Sequence, residues 1–291
     1  MLNASTSALL QAASTVLLAA LFAVAGSQGG ARIAGVAVLT LCAIIAFAIQ
    51  WVAFIPAYLR QTEHFFDLVG SLTHLSAVAC ALSLSANLDA RALILAAMII
   101  VWAVRLGAFL ARRVRRDGFD RRFTPIKTDP ARFFLYWTMQ GLWVFMTLAA
   151  ALAAITSTHR EPLSWIAGIG IAMWCAGFAI EVVADRQKRA FRKAPENAGR
   201  FITSGLWAWS RHPNYFGEIL LWLGVATIAA PALAGWQWAT LISPLFVLLL
   251  LTKASGIPML EDSADARWGS DPAYQAYKDR TPVLLMLPPK A

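Results

Sequence analysis

The polar residues best able to do chemistry in this chain lie in or beside long apolar runs, where burying a charge is costly. One of them is the segment SGLWAWSRHPNYFGEILLWLG at residues 204–224, in which Pro213 suits the first turn of a helix. The free N–H groups and positive dipole end of such a helix attract phosphate, and Arg211 and His212 lie beside them. Asn214 and Glu218 follow at i and i+4 on one helical face. A carboxylate at that depth needs a buried partner, so the segment predicts a polar site that takes an anion.

A second polar face lies where the preceding apolar run ends, in FAIEVVADRQKRAFRKAPENAGR. Glu181, Asp185, Arg189 and Arg192 are spaced by four, four and three residues, so two acids and two arginines share one side of a helix. An Asp185–Arg189 pair is an ordinary helix stabiliser. Glu181, however, lies about one turn inside the apolar run, where solubility does not require it, and this favours a functional role.

A third basic face runs through Arg105, Arg112 and Arg116, at i, i+7 and i+11. One interpretation is an arginine that snorkels toward the membrane surface beside a basic loop. The other is a site for a polyanion. The spacing alone leaves both open.

The elements that must position these residues are membrane-spanning helices. Apolar residues make up 59% of the 291 residues and charged residues 14%, against roughly 45–50% and about 25% in globular proteins. The apolar residues form runs of about 20, the length that crosses a bilayer. We predict eight spans at about 7–26, 33–57, 66–86, 92–110, 133–155, 163–184, 214–233 and 237–256. The seventh run begins with polar residues at its N-terminal end, so the predicted fold is an all-α, polytopic transmembrane helical bundle of seven to eight spans.

The net charge of +9 is explained by the excess of basic residues on the cytoplasmic side of membrane proteins. If the N-terminus is cytoplasmic and all eight runs cross, 21 of the 25 Lys and Arg residues lie on that side. Residues 111–132, 185–213 and 254–291 then form a cytoplasmic cap, and both termini are cytoplasmic. The composition excludes soluble enzymes and disulfide scaffolds, nothing favours nucleic acid as a partner, and no His, Cys and Glu group has metal-ligand spacing.

The runs SRHPNYFGE, ADRQKRAFR and SGIPMLE…YQAYKDRTP together resemble the steroid 5α-reductase family, in its bacterial DUF1295-type branch, over about residues 60–291. The same half also resembles sterol C14 reductases and, more distantly, isoprenylcysteine carboxyl methyltransferases. The resemblance implies one integral membrane domain in a bacterial inner membrane. Residues 1–60 would be N-terminal spans, and residues 61–291 a reductase core whose C-terminal half binds NADPH from the cytosol.

The resemblance also implies a role for individual residues on the cofactor side. Three of the predicted cofactor-binding residues, Arg211, His212 and Tyr215, lie at the helix start. The others are Arg105, Arg116, Asp185, Arg189, Arg192, Arg200, Asn214, Glu218, Glu261 and Tyr277. The reaction implied is hydride transfer from NADPH to the carbon–carbon double bond of a 3-oxo-Δ4-steroid-like or other lipophilic enone. A donor must polarise the carbonyl oxygen of such a substrate.

On the substrate side the chain departs from the family pattern. Phe66 lies where the family has Gln, Asp67 takes the position of the acid, and Trp102 takes that of the family's Tyr. A protonated Asp67 is the first candidate for the donor, and the alternatives are Glu63, His74 or Tyr136. The predicted catalytic residues are therefore Asp67, Glu218 and Tyr136. The predicted substrate-binding residues are Asp67, His74, Trp102 and Gln140.

Two other functions fit parts of the sequence. One is a membrane methyltransferase that uses S-adenosylmethionine, which is cationic at sulfur and carries no phosphate; the number of arginines favours NADPH. The other is a scaffold whose basic loops hold anionic lipid head groups, which would need neither Asn214, Glu218 nor Asp67. The expected partners are membrane lipid and a lipophilic small molecule, and the chain is expected to be a monomer.

Overall fold

The structure, a computed structural model, describes residues 3–86, 88–117 and 123–289, with residues 113–117 described by their backbone alone. It is helical almost throughout, with one short strand pair, β1 (Arg32–Ile33) and β2 (Val36–Ala37). The α-helices are α1 (Ala4–Gly26), α2 (Val38–Leu59), α3 (Phe66–Leu84), α4 (Ala90–Asp117), α5 (Pro130–Thr156), α6 (Trp165–Lys193), α7 (Pro213–Ala229), α8 (Ile242–Leu249), α9 (Ile257–Trp268) and α10 (Pro272–Arg280).

Eight helical segments within the described ranges are long and apolar enough to cross a bilayer, so the prediction of eight spans is confirmed and the chain is an integral membrane protein. The predicted boundaries agree within a few residues at most ends. The eighth segment differs most: it runs over Gly235–Trp268 through a 3-10 turn, α8, a π-helical stretch at Leu250–Ala254 and α9. The side of the membrane on which each loop lies stays a prediction.

The second span begins later than predicted. Residues 33–37, expected at its start, belong to an antiparallel hairpin in which Arg32 pairs with Ala37 and Ile33 with Val36. Its turn is Ala34–Gly35, and both residues have positive φ (48° and 81°). Two-residue hairpin turns require this conformation, and glycine adopts it without a steric cost. A local turn therefore overrides the apolar pattern.

The chain divides into two compact units, of which the first comprises residues 1–164 and 228–243. Helix α5 lies at its centre and contacts α1, α2, α3 and α4. It begins at a well-formed cap, because the Asp129 carboxylate accepts hydrogen bonds from the Ala131 and Arg132 amides and Pro130 needs no partner for its nitrogen. Its buried stretch, residues 144–156, is rich in alanine. Small side chains of this kind let neighbouring helices approach closely in a membrane.

The second unit comprises residues 165–227 and 244–291. Its helices α6 and α7 are in backbone contact at two glycine pairs. A Cβ atom added to Gly177 or Gly217 would lie 2.5 Å from the carbonyl oxygen of the other glycine, and one added to Gly224 would lie 2.6 Å from that of Gly170. The two pairs are separated by seven residues, or about two turns, along each helix: Gly170 to Gly177 on α6 and Gly217 to Gly224 on α7. The two helices are thus held face to face, which fixes the direction of α7 as it continues from the RHPNY segment (Arg211–Tyr215).

Arg91 is the largest buried charge in the first unit, with 1% of its surface exposed. Its guanidinium donates to the carbonyl of Ile228 at 2.6 Å and to those of Glu161 and Pro162 at 3.0 Å each. Ile228 lies in the last turn of α7, where carbonyls have no helical partner. Arg91 therefore joins the start of α4 to two chain segments that are distant in sequence.

We expect Arg91→Ala to destabilise the protein, since the buried carbonyl of Ile228 loses its donor at a cost of about 1–3 kcal/mol, and the half-buried carbonyls of Glu161 and Pro162 lose theirs as well. Thermal unfolding in detergent should show a midpoint lower by about 2–4 °C for each kcal/mol lost. Arg32→Ala is the matched control, because it removes one exposed hydrogen bond, to the Gly35 carbonyl. Equal midpoints for the two variants would contradict this role of Arg91.

Candidate functional site

A cavity of about 200 Å³ lies within the second unit, between the end of α6, the loop after it, the RHPNY segment and helices α9 and α10. Its wall carries one carboxylate, that of Glu261, and five basic side chains: Lys188, Arg192, Arg200, Arg211 and Arg267. This excess of positive charge suits an anionic ligand. Whole-ligand pockets measure about 300–1,000 Å³, so a cavity of this size suits one end of a dinucleotide rather than all of it.

Six aromatic residues also line the cavity: Phe191, Phe201, Trp207, Trp268, Tyr274 and Tyr277. Phe201 is at their centre, with ring centroids 5.2–5.8 Å from those of Tyr274, Trp268 and Tyr277. The Lys188 ammonium lies 4.4 Å from the centroid of the Trp207 ring. Basic groups beside flat apolar rings are the combination that holds a phosphorylated nucleotide, because the phosphates meet the cations and the base stacks on a ring.

The Glu261 carboxylate joins α9 to the start of α7. One of its oxygens lies 2.8 Å from His212 Nε2, and the other lies 2.8 Å from Arg211 Nη1 and 4.0 Å from Lys278 Nζ. A carboxylate can only accept, so neutral His212 carries its proton on Nε2 and its Nδ1 is an acceptor. Burial lowers the pKa of His212, and the hydrogen bond to Glu261 opposes that shift only in part.

The C-terminal segment, residues 277–289, holds residues 207–211 in place through contacts with their backbone. The Arg211 amide donates to the Pro282 carbonyl at 2.9 Å, and the Leu287 amide donates to the Trp209 carbonyl at 3.1 Å. The Tyr277 hydroxyl donates to the Trp207 carbonyl at 2.7 Å, and burial raises the pKa of that phenol, so it remains a donor. The residues that precede α7 are thus fixed on both sides.

The structure brings some of the predicted cofactor residues to this cavity and leaves others elsewhere. Six of them line it: Arg192, Arg200, Arg211, His212, Glu261 and Tyr277. Five others lie in the same unit but not in the wall of this cavity: Asp185, Arg189, Asn214, Tyr215 and Glu218. Tyr215 stacks on His212, with the two rings 9° from parallel and their centroids 5.7 Å apart. The backbones of α6 and α7 are in contact at Gly217. A small molecule that binds Asn214 or Glu218 therefore does not pass between these two helices beside Gly217.

The cavity lies on a face of α6 that overlaps the predicted one, since Lys188 is three residues after Asp185 and four before Arg192. Lys188, Phe191 and Arg192, spaced i, i+3 and i+4, face it, and only Arg192 also belongs to the predicted row. The other contributors that sequence reasoning missed are Phe201, Trp207, Arg267, Trp268 and Tyr274. The signal available in the sequence was the adjacent pair of Arg267 and Trp268 at the end of α9.

The predicted substrate-side residues lie in the first unit. His74 is fully buried in α3, its Nδ1 is 2.8 Å from the Gly70 carbonyl, and Trp102 and Trp143 meet its ring edge-on. Gln140 donates to the Phe66 carbonyl at 3.0 Å and approaches α3 at Gly70. His74, Trp102 and Gln140 are therefore brought to one face of α3.

The remaining first-unit predictions are more scattered. Asp67 lies in the first turn of α3, and Tyr136 is 39% exposed with its ring edge-on to Phe123. Glu63 accepts a hydrogen bond from Lys127 at 3.1 Å. The Arg105 guanidinium lies 5.6 Å from the Phe109 ring centroid. The predicted contact of Arg116 falls on a side chain outside the described residues.

The fold and the cavity define an integral membrane protein with a basic, aromatic-lined pocket in its C-terminal half. The chain belongs to the DUF1295 family, described as "Protein of unknown function (DUF1295)", which matches residues 53–281. The predicted resemblance is thereby confirmed.

The chain is also similar to 3-oxo-5-alpha-steroid 4-dehydrogenase 1 of two rodents. It is 33% identical to the Mus musculus protein over 124 residues, or 42% of this chain and 44% of that protein. It is 35% identical to the Rattus norvegicus protein over 86 residues, or 29% of this chain and 31% of that protein. The chain thus spans less than half the length of these curated relatives. No solved structure matches this chain.

The lowered pKa of buried His212 leads us to expect that the stability of the folded protein depends on pH. Because burial holds its pKa below that of the unfolded chain, the unfolded state binds more protons as the pH falls through about 6.5. The stabilisation is therefore complete above that pH and is lost below it. We expect the unfolding midpoint of the native protein to fall between about pH 7.5 and about pH 5.5. The midpoint of His212→Gln, which retains a hydrogen-bond donor for Glu261, should fall less over the same interval. The same fall in both proteins would show that His212 does not titrate in this way.

Proposed function

We propose that this protein is an NADPH-dependent membrane reductase that transfers a hydride to the carbon–carbon double bond of a lipophilic enone, of the 3-oxo-Δ4-steroid type or similar. The observation that carries the proposal is the cavity wall, with five basic side chains, one carboxylate and six aromatic rings. The similarity to two steroid 4-dehydrogenases supports an oxidoreductase.

The charge of the cavity favours NADPH over S-adenosylmethionine. NADPH carries a pyrophosphate and a 2′-phosphate, which the four cations not paired with Glu261 would neutralise, whereas a sulfonium ion would be repelled by the same wall. The aromatic rings favour a nucleotide over a lipid head group, because a head group has no planar base to stack. NADPH, when bound, supplies the hydride. The chain's own groups bind its anionic end and hold the substrate.

On the substrate side, hydrogen-bond geometry separates the candidates. The Gly70 carbonyl can only accept, so neutral His74 carries its proton on Nδ1. Its buried Nε2, which contacts no hydrogen-bonding group in the described part of the chain, is then an acceptor. His74 would therefore take a hydrogen bond from a substrate hydroxyl rather than polarise a carbonyl. The donor role falls to Asp67, with Tyr136 as the alternative, while Glu218 would border the reacting ring as the family resemblance implies.

The proposal predicts that the purified protein binds NADPH and oxidises it when a lipophilic enone is added. Binding to the protein in detergent, measured with NADPH and with S-adenosylhomocysteine, checks the cofactor. Loss of NADPH absorbance with a series of enones checks the reaction. Binding of S-adenosylhomocysteine with no binding of NADPH would replace the proposal by a methyltransferase.

A second prediction concerns Glu218. Removing its charge by Glu218→Gln should lower kcat/KM about 10- to 100-fold, the effect of losing one hydrogen bond to a charged group. Glu196→Gln, an exposed carboxylate in the Pro195–Asn197 turn, is the matched control and should leave the rate unchanged. Unfolding midpoints of both variants show whether the fold is intact. Full activity in a folded Glu218→Gln variant would remove Glu218 from the site.

A further inference from the structure

One hydrogen bond brings two distant arginines to the same rim of the cavity. The indole Nε1 of Trp268, at the end of α9, donates to the Gly199 carbonyl at 2.6 Å. Gly199 has φ +82°, a conformation that other residues rarely adopt. Arg267 and Arg200 each adjoin one partner of this bond, and both line the cavity.

These two arginines differ in their surroundings from Arg211 and Lys278, two other basic residues of the unit. Arg211 is paired with Glu261, and Lys278 lies 2.7 Å from an Asp265 oxygen. Within the described ranges, no carboxylate contacts the guanidinium of Arg200 or of Arg267, and the contact of Arg267 is with the Trp268 ring, 4.9 Å from its centroid. Two like charges held at one rim repel each other until an anion lies between them.

We propose that Arg200 and Arg267 together bind the 2′-phosphate of the nucleotide and so make the protein select NADPH over NADH, an inference that rests on the proposed function. A phosphate monoester carries a charge of about −1.5 to −2 at pH 7 and offers three acceptor oxygens, which two guanidinium groups can share through paired hydrogen bonds. NADH has a hydroxyl at the same position, and a hydroxyl gives these arginines neither the charge nor the acceptors.

The aromatic rings beside the arginines assign this rim to the adenosine end. Phe201 follows Arg200, Trp268 follows Arg267, and the two rings meet edge-on with centroids 5.8 Å apart. An adenine stacked on Phe201 would lie beside residues Arg200 and Arg267 of the same cavity wall. The pyrophosphate would then meet the cations of α6, Lys188 and Arg192, on another wall of the same cavity.

The test compares the dissociation constants of NADPH and NADH for the full-length protein in detergent, with adenosine 2′,5′-bisphosphate and adenosine 5′-monophosphate as smaller probes. In Arg200→Ala and in Arg267→Ala we expect the NADPH constant to rise about 10- to 100-fold and the NADH constant to change less than about 3-fold. The bisphosphate should lose affinity as NADPH does, and the monophosphate should not. Arg280→Ala, an exposed arginine of α10 outside the cavity wall, is the matched control and should change none of the four constants.

Each outcome decides something different. Equal weakening of NADPH and NADH would show that the arginines act on the pyrophosphate or through general charge, and would overturn the assignment. Unchanged NADPH binding in both variants would overturn it as well. If the native protein binds neither dinucleotide, the proposed function itself fails. Trp268→Phe, which keeps the ring but loses the hydrogen bond to Gly199, should weaken NADPH binding more than NADH binding, because it releases one arginine from the rim.

Discussion

The second unit depends on a single carboxylate. Glu261 lies between Arg211 and His212, the two residues that precede α7, and no other carboxylate lines the cavity within the described ranges. It neutralises one arginine and fixes the tautomer of the histidine. Because both of its oxygens are engaged, it also holds α9 against the RHPNY segment. Without it, Arg211 would add its charge to four other cations around a space of only about 200 Å³.

The C-terminal segment completes this arrangement by contacts that do not depend on charge. Its Pro282 and Leu284 carbonyls accept hydrogen bonds from the Arg211 amide and the Ser210 hydroxyl, respectively. Its Leu287 amide donates to the Trp209 carbonyl. Two of these bonds satisfy backbone groups that precede α7 and lie outside it, the Arg211 amide and the Trp209 carbonyl. The cavity wall is therefore organised before any ligand enters, and preorganisation of this kind strengthens binding because less order is lost.

The sequence predicted the membrane spans well because the bilayer imposes one simple requirement. Every spanning segment must satisfy its own backbone and present about 20 apolar residues, and both features are visible in a single run. The exceptions were set by local backbone geometry. The Ala34–Gly35 turn replaced the expected start of α2, and a π-helical stretch at Leu250–Ala254 joined α8 to the polar helix α9.

The cavity was harder to predict, because its wall is assembled from residues far apart in sequence. The bond between Trp268 and Gly199 joins positions 69 residues apart, and no periodicity within one helix indicates it. On α6, the predicted row of Glu181, Asp185, Arg189 and Arg192 indicated about the right side of the helix, but Lys188 and Phe191, which also face the cavity, are not members of that row. The RHPNY segment and Glu261 could be predicted because each belongs to a short run, SRHPNYFGE and SGIPMLE, that resembles the family.

The positive charge of the chain has two explanations, and only the structure separates them. Topology requires basic residues on one side of the membrane but does not specify their contacts. A lysine such as Lys278, held between Asp265 and Glu261, serves the fold whether or not a ligand binds. Arg200 and Arg267 gain nothing comparable from their neighbours, yet the protein holds both at one rim through Trp268 and Gly199. An arrangement that brings like charges together without a carboxylate is disfavoured in the free protein, so its persistence is best explained by an anion that the protein binds there.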